Sequence, residues 1–155
     1  MTAGSPLSPA DLYHTGLVVA DMDSAAKRLT AAMGYTWTMP VEADLMVATA
    51  AGDVEVPFRF VYSLQAPHLE LIQEAPGTIW TASADGASHH LGYWVDDIAA
   101  AASQLEKTGY QLEARPSGDT LTMFAYFTDP TGVRIEIVDR AMFPDWPGFL
   151  KEFAA

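Results

Sequence analysis

In "LYHTGLVVA", residues 12–20, apolar residues at 12–13 and 17–20 flank His, Thr and Gly, and the stretch reads as a strand. "DMDSAAKRLTAAMG", 21–34, opens on acidic and Ser residues suited to a helix N-terminus and closes on Gly34, a helix stop signal. Strand-like segments follow at 35–40 ("YTWTMP"), 54–64 ("VEVPFRFVYSL") and 68–73 ("HLELIQ"); residues 43–52 are apolar with a weak period and read as strand or loop. Residues 74–88, rich in Pro, Gly and small polar side chains, read as a connector. The order then starts again. "HHLGYWV", 89–95, is a strand, and "DDIAAAASQLEKTG", 96–109, is a helix that again ends on Gly. "YQLEARP", "TLTMFAYFT" and "VRIEIVD" are strands, and "DPTG" at 129–132 has the Pro and Gly placement of a hairpin turn.

The pattern is α+β: strand, helix and about three strands, twice over. It predicts a flexible tail at 1–10, a first βαβββ module at 11–74, a linker at 75–88, a second module at 89–140, and an aromatic-rich tail at 141–155 ending in a short helix. The two modules together form one domain over 11–140.

Aligned at a constant spacing of 76, His14 falls on His90, Gly16 on Gly92, Val19 on Val95 and Asp21 on Asp97. His89 falls on Tyr13, so the repeat selects His90 from the pair of adjacent histidines. The last strands match as well, "LELIQ" against "IEIVD", which sets Glu70 beside Glu136. Side chains alternate faces along a strand. The positions opposite in parity to these four residues are Leu17, Val19, Leu69, Leu71, Leu91, Tyr93, Val95, Ile135 and Ile137, an apolar set for the two helices to cover. His14, Glu70, His90 and Glu136 then share the other, concave face of a curved sheet, with open space left by Gly16 and Gly92. Two imidazoles and two carboxylates offer a mixed N/O set for one divalent ion: Zn, Ni, Co, Mn or Fe. Two carboxylates brought together repel each other, and a cation removes that cost.

Composition narrows the partners. The 155 residues carry 20 acidic and 8 basic side chains, a formal net charge of −12, which repels phosphate backbones and anionic lipid. Nucleic-acid and membrane binding are therefore not expected, and no stretch approaches the roughly 20 apolar residues of a spanning helix. The absence of Cys excludes disulfides and thiolate chemistry. Nothing at the N-terminus reads as a signal peptide, so a cytoplasmic protein is expected.

The motifs "LYHTGLVVADM", "HLELIQ", "HHLGYWVDDI" and "FTDPTGVRIEIVD" resemble those of the vicinal oxygen chelate superfamily, the glyoxalase, bleomycin-resistance and extradiol-dioxygenase group, over roughly residues 11–140. The resemblance implies eight strands curled round a metal-bearing cup, with ligands from the first and last strand of each module: His14, Glu70, His90 and Glu136. A His/Glu/His/Glu set is similar to that of the isomerase and lyase branch, the lactoylglutathione lyases and methylmalonyl-CoA epimerases. Several epimerases carry Gln at the Glu70 position, so Glu there leans toward the lyase-type set. Extradiol Fe(II) dioxygenases, the first alternative, use two His and one Glu. Antibiotic- or metabolite-binding members, the second, commonly lack the metal set.

The activity implied is movement of a proton next to a metal-chelated carbonyl of a small substrate, with Glu136 or Glu70 as the base and Glu136 preferred. His68 shares the parity of Glu70 and is expected in the substrate pocket. Trp94 shares that of His90 and is expected as a pocket wall. Arg134 shares that of Glu136 and is expected either on an anionic substrate group or in a salt bridge. Recognition of glutathione or CoA requires several basic contacts. With eight basic residues, some on predicted helices, a small, less charged or aromatic substrate is favoured. A homodimer is expected from the family, and the site is compatible with ligands from one chain or from two.

Overall fold

The computed structural model describes residues 4–155. The chain is α+β, in the order β1 (Leu12–Val19), α1 (Met22–Met33), β2 (Val41–Thr49), β3 (Gly52–Tyr62), β4 (Leu69–Gln73), β5 (His90–Val95), α2 (Ile98–Lys107), β6 (Gln111–Pro116), β7 (Phe124–Thr128), β8 (Arg134–Asp139) and α3 (Trp146–Glu152). The eight strands make one mixed sheet closed into a barrel, in the order β1-β4-β3-β2-β6-β7-β8-β5. Two compact units share the chain. One comprises residues up to Tyr13, Met46–Val54 and His90–Pro144; the other comprises His14–Leu45, Glu55–His89 and Asp145–Ala155.

In the unit that holds His14, β1 pairs in parallel with β4 so that Gly16 stands opposite Glu70 and Leu17 opposite Leu71. Strand β3 runs antiparallel on the other side of β4, with Val61 opposite Leu71 and Tyr62 opposite Glu70. Helix α1 covers the apolar face. Met22, Val61 and Leu71 form a buried cluster, with Leu17, Val19, Ala25, Ala26, Leu29 and Trp37 packed on it. Each large side chain fully buried there is worth about 1.5–3 kcal/mol. The Asp21 side chain accepts from the Ser24 amide and caps α1. Gly34 ends the helix in the left-handed region at φ 80°, a conformation that favours glycine.

The unit that holds His90 repeats this arrangement. Strands β5 and β8 pair in parallel, Gly92 opposite Glu136 and Tyr93 opposite Ile137. Strand β7 lies antiparallel on β8, Tyr126 opposite Glu136. Helix α2 covers Val95, Ala125, Phe127, Ile135 and Ile137, with Leu91 and Tyr93 at the edge. Asp97 caps α2 by accepting from the Ala100 amide. The helix ends through Gly109, with Gly109 N–H on Glu106 O and Tyr110 N–H on Leu105 O, the paired bonds of a Schellman stop. The β2–β3 tip joins this unit, Val47 opposite Pro116 on β6.

Several segments differ from the sequence-based expectation. Residues 35–40 make only isolated bridges, Trp37 to Ser63 and Thr38 to Ala154, because the C-terminal segment takes the pairing positions beside them. The first strand after α1 is instead β2, over the weakly periodic stretch. In the N-terminal segment Leu7 packs on the α2 cluster and Pro9–Asp11 form a 3-10 turn; residues 1–3 of the expected tail lie outside the described residues. The connector is anchored by Trp80, fully buried and edge-on to Phe58 at 4.7 Å. His89, the histidine that the repeat does not select, is buried, its Nε2 bonded to Ile79 O at 2.8 Å and its amide to Gly16 O.

Candidate metal centre

The four repeat-matched side chains are all buried, at 2, 5, 2 and 7 % exposure for His14, Glu70, His90 and Glu136. In each unit the parallel pairing of first and last strand sets a glycine directly opposite the glutamate. The imidazole two residues earlier in β1 and β5 reaches the carboxylate. His14 Nε2 lies 2.8 Å from Glu70 Oε2. His90 Nε2 lies 3.1 Å from Glu136 Oε2.

One ligand atom from each of the four lies within 4.8 Å of the other three. An ion bound at about 2.0–2.2 Å holds its ligand atoms from about 3 Å apart for neighbours to about 4.4 Å for opposite positions. The 4.8 Å limit on the four atoms is close to that span, and two imidazole nitrogens with two carboxylate oxygens are donors that a divalent ion of the zinc-to-iron series takes. The group can hold a metal.

A second matched pair surrounds these ligands. Tyr62 stands opposite Glu70 on β3 and meets the His14 ring edge-on at 5.7 Å. Tyr126 stands opposite Glu136 on β7 and meets the His90 ring edge-on at 5.1 Å. Phe60 and Phe124 sit beside them, at 5.6 and 5.8 Å. The signal for these residues lies in the sequence as the repeated Phe-x-Tyr of "FVY" at 60–62 and "FAY" at 124–126, beyond the reach of an alignment built on the first and last strands alone.

The other expected site residues fall as follows. His68 precedes β4, with its Nδ1 2.9 Å from Ser63 O and its ring edge-on to Trp146 at 5.6 Å. Trp94 is buried, stacked on Tyr13 at 3.6 Å and tilted against Phe143 at 5.8 Å. Arg134 makes a two-point pair with Glu113, 2.8 Å at each contact. That pair raises the already high pKa of the guanidinium, the hydrogen bonds it donates to Glu113 being the largest cause. Trp146 and Phe149 of α3, in the aromatic-rich tail, meet Tyr62 edge-on at 4.9 and 6.4 Å, one ring away from His14.

A barrel of duplicated βαβββ halves, each placing one His and one Glu in the same strand register, is the glyoxalase fold, here with a four-residue group that could hold a metal. The chain belongs to the Glyoxalase/Bleomycin resistance protein/Dioxygenase superfamily, whose profile matches residues 13–127. No curated protein matches the sequence. Among solved structures, the fold is similar to methylmalonyl-CoA epimerase from Mycobacterium tuberculosis, at 20% identity and TM-score 0.62 over 90% of this chain and 92% of that one. It is also similar to methylmalonyl-CoA epimerase from Streptomyces coelicolor, at 17% identity and TM-score 0.59 over 86% and 97%. A hypothetical protein from Bacillus halodurans shares it at 14% identity and TM-score 0.60, over 83% and 92%. Among the described residues, no helix is long and apolar enough to cross a membrane.

Proposed function

We propose that this protein is a divalent-metal-dependent isomerase or lyase that moves a proton next to the carbonyl of a small substrate. The observation that carries the reading is the buried His14, Glu70, His90 and Glu136 group, within reach of one ion. When bound, the ion supplies Lewis-acid polarisation of the carbonyl. The chain supplies the proton chemistry. His14 and His90 would each hold the ion through a ring nitrogen, with Tyr62 and Tyr126 edge-on against their imidazoles. Glu136 is the base of choice, taking the proton α to the carbonyl and returning it at the same or the neighbouring carbon. Glu70 holds its place on β4 between β1 and β3. A glutamate at position 70 completes a four-ligand set and thereby favours this reading over an oxygen-activating one.

The epimerases of similar fold are named for methylmalonyl-CoA. In this chain the cations that a CoA phosphate would need are largely engaged. Arg59 pairs with Asp23 and Glu42, Arg134 with Glu113, and Arg140 with Asp11 and Asp96. Arg115 donates to the carbonyls of Pro116, Gly118 and Thr120. That supports a substrate with fewer negative charges than a nucleotide thioester.

The test is solvent-deuterium incorporation, followed by NMR, into a panel of 2-keto acids and acyl thioesters with the metal-loaded protein. Glu136→Gln is expected to slow exchange about 10²–10⁴-fold, the usual contribution of a positioned base. Full exchange in both Glu136→Gln and Glu70→Gln would rule the mechanism out.

A further inference from the structure

Beside β4, within the His14 unit, lies a recess of about 560 Å³, walled by Leu64, Ala66, His68, Trp146, Leu150 and Lys151. We infer that it binds a small amphipathic acid, an aromatic or alkyl body ending in one carboxylate, with Lys151 on the carboxylate and His68 accepting a hydrogen bond from the body. This goes beyond the reading above and does not depend on it.

The size is that of a small-molecule site, which combines an apolar lining with a few placed polar groups. Here the apolar part is Trp146, Leu64, Leu150 and Ala66, and the polar part is two side chains of different character. His68 Nδ1 faces the carbonyl oxygen of Ser63 at 2.9 Å. A carbonyl can only accept, so Nδ1 carries the hydrogen and Nε2 of the neutral ring is an acceptor. His68 therefore selects an O–H or N–H on the ligand. Lys151, in the last turn of α3, is the cation among the lining residues. On a chain of net charge −12 whose Arg59, Arg115, Arg134 and Arg140 already hold partners, one lysine sets the charge taken here at one. The recess is also tied to the metal ligands. Trp146 meets both His68 and Tyr62, and Tyr62 meets His14, so two rings join the recess wall to the imidazole.

The probes are 2-naphthoate, its neutral analogue 2-naphthamide, and 3-hydroxy-2-naphthoate, titrated into the full chain with and without metal. Binding is followed by calorimetry and by the His68 ring resonances in NMR. 2-Naphthoate is expected to bind at least tenfold more tightly than 2-naphthamide in both forms and to shift the His68 signals. Lys151→Met removes that difference and Lys151→Arg keeps it. The hydroxyl of 3-hydroxy-2-naphthoate tightens binding severalfold, and His68→Phe abolishes that gain. Equal affinity for acid and amide, or a preference that survives Lys151→Met, overturns the assignment. Because metal-free protein is included, a chain that binds the acid but exchanges no deuterium contradicts only the proposed reaction. One that exchanges deuterium without Lys151-dependent binding contradicts only the recess.

Discussion

In one unit Glu70 is flanked by Gly16 on β1 and Tyr62 on β3; in the other Glu136 is flanked by Gly92 on β5 and Tyr126 on β7. His, Glu, Gly and Tyr recur in one register, and the units differ in what covers them. Around Tyr62 the rings of Trp146 and Phe149 close in from α3. Around Tyr126 lie the rings of Phe124 and His90, and the aromatic stack of that unit, Tyr13 on Trp94 on Phe143, sits farther along β5. The duplicated part is the part that fixes ligand atoms to within fractions of an ångström, as chelation requires. Helix α3 and the N-terminal 3-10 turn lie outside the repeat.

Several experiments break or sharpen this symmetry. The largest effect is expected from the ligands. His14→Ala and His90→Ala each lose metal affinity on the order of 100-fold or more, since even outer groups around a metal contribute 10–100-fold. Chelator competition checks this, and a large loss in one unit with none in the other would show that the halves do not share an ion. Next come the helix-covered faces. Leu71→Ala and Ile137→Ala, at residues of zero exposure in equivalent positions, each cost about 2–5 kcal/mol in urea unfolding. The caps follow. Asp21→Ala and Asp97→Ala each remove one amide acceptor, for about 1 kcal/mol, equal in the two helices.

The smallest effect separates the two hairpins that deliver the ligand strands. Before β8 the Asp129 carboxylate accepts from the Thr131 hydroxyl at 2.7 Å and from the Thr131 and Val133 amides at 2.9 Å. These bonds, the Thr131 hydroxyl foremost, hold its pKa below the usual carboxylate value. The turn's contribution is therefore complete above the unfolded value of about 3.9 and is lost as pH falls through the lower folded one. Before β4 the corresponding acceptor for Leu69 N–H is the uncharged hydroxyl of Ser63, at 2.8 Å. Asp129→Asn is expected to remove part of the acid-side stability loss seen in melts below about pH 4, and Ser63→Ala to leave that pH dependence unchanged.

Much of this was legible in the residues. Parity alone placed Leu17, Val19 and Leu71 under α1 and Leu91, Tyr93, Val95, Ile135 and Ile137 under α2, and both clusters contain them. That inference works because each face of a short strand is decided locally, by a period of two. Where long-range pairing decides, local pattern falls short. "YTWTMP" has strand-like residues, yet its partner positions go to Ser63 and Ala154. Trp80 lies among Pro, Gly and Thr that signal a loop, and its burial follows from Phe58, far away in sequence. Alternation cannot show that α3 folds back onto Tyr62, because nothing in a strand's period reports the path of a tail. The Tyr62 and Tyr126 match was open to reading, but only through β3 and β7, whose spacing to the glutamate differs by two residues between the modules, 8 against 10.

The most direct test of the central claim is a cobalt(II) titration of the metal-free full chain, followed by visible absorption. The account predicts saturation at one ion per chain, with the bands lost in a His14→Ala, His90→Ala double variant that still folds. No uptake by the native chain, or undiminished uptake by the double variant, would contradict it.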